Sequence, residues 1–396
     1  MLMINQSISS VGNKLPVRIA IINLTGGGMS GGYKKYLINV LPRIASNQRV
    51  EAVLCVSPES LQVKSWFKDL SNVTFVSCDS FRLIRFELDS EIKRHLDEFS
   101  PSVILVPLER FFRYKEVPVV NLIQNMEPMI GTMNDNPLGE NIRLWIQYYL
   151  AKKAIKKASR IISLSKFVSD FLVTRWGIKD EKIKLIYHGI DERKNTVCML
   201  PHTFSNNFSG PFIFTAGSIR PARGLKDLLL AIKQIVSLNE DSIKLVIAGE
   251  PEGRMLEYRQ KLINWIKSND LSTNVIWAGK LNENEMAWCY KECSMFVMTS
   301  RVESFGMIGG EAMSHGCICI AANNPCLPEL FENAAVYYPP KDSRKLAEEI
   351  QTVLSWNDNQ RNLMSKKAIE RAELFSWDMC AEKTVIALEE ANKNDK

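Results

Sequence analysis

At 396 residues the chain is longer than one ordinary hydrophobic core organises, and its length points to two domains. Hydrophobic residues make up 46% and charged residues 24%, and no apolar run approaches the roughly 18 residues that span a bilayer, which argues against a disordered chain and a membrane-crossing helix. The net charge of +6 is modest for this size and has no basic-aromatic interleaving beside it, so no nucleic-acid partner is expected.

From the N-terminus, residues 1–15 are polar and lack a continuous apolar core ahead of a cleavage site; they read as a loose leader in a cytoplasmic protein. An apolar run over 17–24, a helix over 32–44 and a second strand over 50–57 start the rhythm of a parallel sheet. Strands over 73–77, 103–107, 119–123, 160–164 and 183–187 continue it. Between them, 145–159 carries Trp145, Ile146, Tyr149, Leu150, Ala154 and Ile155 at helical spacing, with Lys152, Lys153, Lys156, Lys157 and Arg160 around its end. The favoured reading is a first-domain helix with a solvated basic face; the alternative is peripheral contact with an anionic membrane.

His188-Gly189-Ile190-Asp191 and an aperiodic polar segment to Gly210 read as the linker, with a hinge role for His188. A second strand-helix series then runs through 212–216, 225–237, 243–248, 255–267, 275–278, 283–290, 295–299 and 317–321. The expected domains are 1–195 and 210–376. Nine cysteines, at 55, 78, 198, 289, 293, 317, 319, 326 and 380, lack a paired framework and read as reduced core thiols. Cys289 with Cys293, and Cys317 with Cys319, share faces, but none of the four histidines stands at ligand spacing to them. Core packing is expected there, with no metal.

The chemistry concentrates in Ser300-Arg301-Val302-Glu303-Ser304-Phe305-Gly306-Met307-Ile308-Gly309-Gly310-Glu311-Ala312-Met313. In an open α/β sheet, ligands sit beyond the carboxyl ends of the strands, so Glu303 on the strand-to-helix loop faces the crevice, and Glu311 lies about one and a half turns into the helix. A carboxylate offers two acceptors, matching a ribose cis-diol at Glu311 and sugar hydroxyls at Glu303. The amides of Phe305, Gly306, Met307 and Ile308 are helix-start donors available to phosphate or sugar oxygens. Gly26-x-Gly28-x-x-Gly31 satisfies a dinucleotide fingerprint formally, but the second strand ends in Ser57-Pro58, without the acid a nicotinamide ribose wants.

Glu303-x7-Glu311 with its internal Phe305-Gly306 resembles the signature of the family 4 glycosyltransferases, retaining enzymes of the GT-B fold. The resemblance implies two Rossmann-like doubly wound parallel-sheet domains facing across a cleft, acceptor on the first and nucleotide-sugar on the second, with a tail helix over 377–396 crossing back to the first. It implies that Gly31-Gly32 lets the backbone approach donor phosphates. It also implies that Gly217-Ser218-Ile219-Arg220-Pro221-Ala222-Arg223-Gly224 is the phosphate clamp, Arg223 standing at the family's lysine and Ser218 where arginine is usual. Arg220 is placed to restore that charge. Lys280-Leu281 resembles the loop that accepts the base, and Glu303, Arg223 and Arg220 become the expected catalytic groups.

The chain departs from the family at the strand tip near 123, where many relatives carry a histidine and this one reads Gln124-Asn125. Both can hydrogen-bond an acceptor or sugar hydroxyl; neither is a base near neutral pH. The expectation is a metal-independent, cofactor-free transfer of a sugar from a nucleotide-diphosphate sugar to a glycan or lipid-linked acceptor in cell-surface polysaccharide or lipopolysaccharide biosynthesis. An epimerase or hydrolase of the same architecture, a nicotinamide-linked oxidoreductase and a non-catalytic sugar-binding relative remain as rivals.

Overall fold

The computed structural model describes residues 16–26, 30–84, 86–130, 135–191, 197–204, 208, 210–238 and 243–394. The leader reading of 1–15, Gly28 of the glycine turn and much of the expected linker lie outside the described residues.

The first lobe runs β1 (Val17–Ile22), α1 (Gly31–Ala45), β2 (Val50–Pro58), β3 (Val73–Cys78), α2 (Ser90–Phe99), β4 (Val103–Val106), β5 (Val119–Leu122), α3 (Glu127–Ile130), α4 (Leu138–Lys157), β6 (Arg160–Ser163), α5 (Lys166–Trp176) and β7 (Ile183–Leu185). Its strands form one parallel sheet in the order β3-β2-β1-β4-β5-β6-β7. The second lobe runs β8 (Phe212–Ala216), α6 (Leu225–Val236), β9 (Lys244–Ala248), α7 (Leu256–Ser268), β10 (Val275–Gly279), α8 (Glu283–Glu292), β11 (Met295–Met298), α9 (Met307–Ser314), β12 (Cys319–Ala322), α10 (Cys326–Phe331), β13 (Ala335–Tyr338), α11 (Ser343–Leu354) and α12 (Asp358–Ala372). Its parallel sheet has the order β10-β9-β8-β11-β12-β13.

Helices cover both faces of each sheet, which is why β4 and β11 are buried at every position and read in sequence as unbroken apolar runs. Strand order reverses between β1 and β4 in one lobe and between β8 and β11 in the other. Those switch points open crevices at the carboxyl ends of the strands, and the site grows from the loops there.

The last helix, α13 (Trp377–Asn394), lies against α1 and against β4, β5 and β6, so it completes the first lobe after the chain has built the second. Its Val385 and Leu388 share a core with Tyr36, Leu37 and Leu41 of α1. The chain therefore crosses between lobes twice, and the crossings touch: the Ile190 amide donates to the Phe375 carbonyl at 2.9 Å, and the Trp377 indole donates to Asp191 Oδ1 at 2.8 Å. A Cβ on Gly189 would lie 2.4 Å from the Trp377 ring, so no larger residue fits between them.

Three expectations need correction. Cys198 is exposed and not a core thiol, because it sits outside any packed element; the other eight are buried or half-buried. The basic helix starts at Leu138 and not at Trp145, and its buried face is Leu144, Ala151, Ala154 and Ile155, with Trp145 and Tyr149 turned to solvent. On that face Ala151 and Ile155 share a core with Ile123 and Ile161. Cys317 precedes β12 and only Cys319 belongs to it. Cys293 and Cys317 approach to 3.7 Å, and among the described residues no group of three His, Cys, Asp or Glu side chains is disposed to hold a metal ion.

Candidate functional site

In the second lobe, the loop after β8 turns through Ser218 and a short 3-10 turn, Pro221–Arg223, before α6. Gly224 closes it at φ +65°, a left-handed conformation that a side chain would strain. The loop is stitched to its neighbours: Gly217 N donates to Ala248 O at 3.0 Å, Ile219 N to Glu250 O at 3.2 Å, and Thr299 Oγ1 to Arg223 O at 2.6 Å. This pins the Arg223 backbone beside the end of β11. Its guanidinium donates to Ser300 Oγ at 3.2 Å and to the Glu303 carboxylate. Gly217, Ser218, Arg223, Thr299 and Ser300 together line a small concavity at the sheet edge.

Gly306 starts α9 at φ +86°, packed so closely that a Cβ would meet Leu327 Cδ2 at 2.7 Å. Only glycine satisfies both demands, which accounts for its place between the two glutamates. Phe305 is buried against the rings of Tyr187, His188 and Phe375 and anchors the loop. The start of α9, with Met307 and Ile308, is thereby aimed into the cleft. Glu311, one turn further, accepts from Lys35 Nζ of α1 at 2.7 Å. Burial pushes the Glu311 carboxyl up in pKa while Lys35 pulls it back; Lys35 itself is raised, the charge and hydrogen bond of Glu311 outweighing its own burial.

From the first lobe, Ser30 caps α1 by accepting from Tyr33 N, and Gly31-Gly32 form its first turn. A Cβ on Gly32 would stand 3.9 Å from the Met307 side chain, so the starts of α1 and α9 face each other across the cleft. Each presents helix-start amides and the positive end of a dipole, a setting for an anion. The loop after β5 contributes Gln124 and Asn125. Asn125 is exposed and its side chain caps the Glu127 amide at 2.9 Å; the Gln124 carbonyl accepts from Ser304 Oγ of the other lobe at 2.7 Å. Lys280, exposed, and Leu281, half-buried, follow β10 at the same sheet edge.

Arg220 does not lie beside Arg223's partners. Its guanidinium crosses to the first lobe and bonds Glu127 Oε2 at 2.6 Å, with Glu140 Oε1 at 3.5 Å. Both acids are buried, and burial raises the Glu127 carboxyl, with Arg220 opposing. His188 is buried within a ring of Tyr36, Phe305 and Trp377, its Nε2 3.4 Å from Gln124 Oε1, and burial lowers its pKa to about 3. It is a neutral packing element where the chain passes between the lobes.

Sequence reading missed Lys35, Glu109, Glu127 and Glu140. Lys35 stands one turn beyond Gly31, and Glu127 precedes a proline within the Gln124–Asn125 segment; both signals were visible. Glu109 follows β4, and its Oε1 accepts from the Gln124 and Asn125 amides, the latter at 2.8 Å. Burial pushes its pKa from 4.5 to about 7 despite those amides. Between these values the folded state keeps a proton the unfolded chain has lost, so Glu109 makes stability fall as pH rises from about 4.5 to about 7, then level off. Urea midpoints at pH 5 and pH 8 should show a smaller decline in Glu109→Gln than in the parent. An identical decline in both would remove Glu109 as its source.

Comparison with known proteins bears on the family and the fold. The model for Glycosyltransferase Family 4 matches residues 30–194, and that for Glycosyl transferases group 1 matches residues 203–371. An O-antigen biosynthesis glycosyltransferase of Escherichia coli, WclY, is 23% identical over 304 residues, covering 73% of this chain and 79% of that one. An uncharacterized glycosyltransferase of Methanocaldococcus jannaschii is 24% identical over 247 residues, 58% of this chain and 59% of its own length. The matched stretch therefore spans about six-tenths of that archaeal relative. Anabaena HepE, solved with UDP and glucose, superposes with a TM-score of 0.69 at 18% identity, over 94% of this chain and 99% of that one. Sucrose-phosphate synthase of Thermosynechococcus elongatus gives 0.69 at 16% identity, over 93% and 97%. With one family model on each lobe and the two parallel sheets of the GT-B fold beneath them, the chain belongs to the family 4 glycosyltransferases.

Proposed function

We propose that the protein is a retaining, metal-independent hexosyltransferase, taking a sugar from a nucleotide-diphosphate sugar to a glycan or lipid-linked acceptor in cell-surface polysaccharide biosynthesis. The observation that carries the reading is the convergence of Glu303, Arg223 and Glu311 with the facing starts of α1 and α9. Glu311 receives the ribose hydroxyls; Lys280 and Leu281 border the base; Ser218, Gly31, Gly32 and the amides of Phe305, Gly306, Met307 and Ile308 receive phosphate or sugar oxygens. Arg223 stabilises the diphosphate as charge develops on it, while Arg220, paired with Glu127 and Glu140, ties the two lobes together beside the site. A diphosphate that reaches Arg223 competes with Glu303 for the guanidinium and so frees the Glu303 carboxylate for sugar hydroxyls.

The acceptor hydroxyl enters from the first lobe, past Gln124 and Asn125. Neither side chain titrates near neutral pH, and His188 with a pKa of about 3 is too weak a base to take its proton. Glu109, raised to about 7, is already engaged by the Gln124 and Asn125 amides, so this reading gives the proton to the departing phosphate on the same face of the sugar, and attack from that face retains the anomeric configuration. The work at a cell-surface glycan rests on relatives such as WclY, named for O-antigen biosynthesis.

Isothermal titration with uridine, guanosine and adenosine diphosphates tests the donor site. One of the three should bind the parent, and Glu311→Ala and Arg223→Ala should each weaken it by about tenfold or more, the range of charge-assisted hydrogen bonds. Parent-like binding by both variants would discard the assignment. Product analysis separates the rival epimerase or hydrolase, whose turnover needs no acceptor.

A further inference from the structure

We infer that Lys35, on the first lobe, is a positioning residue for a donor bound on the second: it crosses the cleft to fix the Glu311 carboxylate for the ribose hydroxyls, and so rests on the assignment of Glu311 to the ribose made above. Two contacts in register place it. Gly32 and Lys35 stand three residues apart on α1, and Met307 and Glu311 four apart on α9, so Gly32 faces Met307 and, one turn deeper, Lys35 faces Glu311. Lys35 Nζ lies 2.7 Å from Glu311 Oε1, and Asp191 Oδ2 stands 3.5 Å from the same ammonium. Asp191 is itself held, accepting from the Trp377 indole at 2.8 Å and from Asn39 Nδ2 at 3.4 Å. The ammonium is therefore braced where the chain passes between the lobes.

Glu311 needs that cation. Its side chain is 17% exposed, and among the described residues Lys35 is its one ion-pair partner. Asp191 from the crossing and Glu283 from α8 add negative potential at the carboxyl; Tyr290 of α8 feels its charge, and His315, one turn further along α9, turns its ring to Tyr290 and to the Glu311 carbonyl. Burial and both acids favour the protonated carboxyl, and Lys35 opposes them by its charge and its hydrogen bond. The protonation state decides what Glu311 can hold. A carboxylate with Lys35 on Oε1 keeps Oε2 and a lone pair of Oε1 for the two donors of a cis-diol, whereas a protonated carboxyl turns one of its oxygens into a donor and spoils the match. Because the ammonium comes from the opposite lobe, the ribose site of the second lobe is complete only when α1 lies against α9.

Titration calorimetry of the full chain with uridine, guanosine and adenosine diphosphates and with their 2′-deoxy forms, at pH 6 and pH 8.5, tests the inference. For the diphosphate that binds, the parent should prefer ribose to deoxyribose by the same factor at both pH values, because Lys35 keeps Glu311 ionised. In Lys35→Met that preference should fall about tenfold at pH 6, the range of a charge-assisted hydrogen bond, and climb back toward the parent's at pH 8.5 as the buried carboxyl loses its proton. Titration of the phosphates and of His315 is common to the ribose and deoxyribose forms and drops out of the ratio. Lys35→Gln should follow Lys35→Met, and Lys35→Arg, which keeps the charge, should restore the flat profile. A parent-like preference at pH 6 in both neutral variants would overturn the inference and leave the ribose role of Glu311 standing. Equal weakening of the two sugar forms would make Lys35 a phosphate contact and overturn it as well. A parent that binds a diphosphate without telling ribose from deoxyribose would remove the ribose role of Glu311 and the inference together.

Discussion

Glu303→Ala should lower turnover by roughly a hundredfold or more, as expected when a preorganised group at the reacting centre is removed, while leaving affinity for the free nucleoside diphosphate unchanged or higher. The split follows from the pair it forms. Glu303 is held by Arg223, a side chain also bound to Ser300, so deleting the carboxylate frees a guanidinium for phosphate. A group that merely supported the loop would weaken both quantities together. Steady-state kinetics beside titration with the diphosphate alone distinguishes the two, and full turnover in Glu303→Ala would remove the catalytic role.

The second large effect is on stability. Arg220→Met should cost about 3 to 5 kcal/mol, the usual penalty for leaving a buried charge without its partner. Glu140 keeps a second cation, Arg143 at 3.1 Å, whereas Glu127 is left with its charge stranded. The loss should therefore be recovered in part by Arg220→Met/Glu127→Gln, which removes that charge, and not by Arg220→Met/Glu140→Gln. Urea denaturation of the three variants decides it; equal midpoints for Arg220→Met and the parent would show that the pair holds nothing together.

The architecture was legible because each strand is short, buried on both faces and followed by an amphipathic helix. β8 has the bounds its apolar run implies; β1, β4, β5, β6, β7 and β11 end one or two residues early, where ladder pairing stops before hydrophobicity does, and β2, β3 and β10 run one residue further than expected. The second-lobe groups were legible for a different reason: Glu303, Gly306 and Glu311 sit within a single loop and helix, so their spacing in sequence is already their spacing in space. What could not be read were contacts between lobes. Lys35 and Glu311 are 276 positions apart, and Arg220 and Glu127 are 93 apart. Nothing in the local pattern of either partner encodes the other. Glu109 escaped notice because its importance lies in the amides it receives from Gln124 and Asn125. On α4, apolar residues occur all round the first turns, so their spacing did not mark which of them are buried.

The return of α13 to the first lobe has a bearing on how the molecule is made. Synthesis proceeds from the N-terminus, and domains generally fold as units when they emerge. Here the opening unit lacks the cover for Tyr36 and Leu37 until more than a hundred later residues have left the ribosome. A nascent chain halted before Trp377 should offer that uncovered stripe to chaperones even though its sheet is complete, whereas the middle of the polypeptide, which owns all of its strands and helices in one stretch, can settle first.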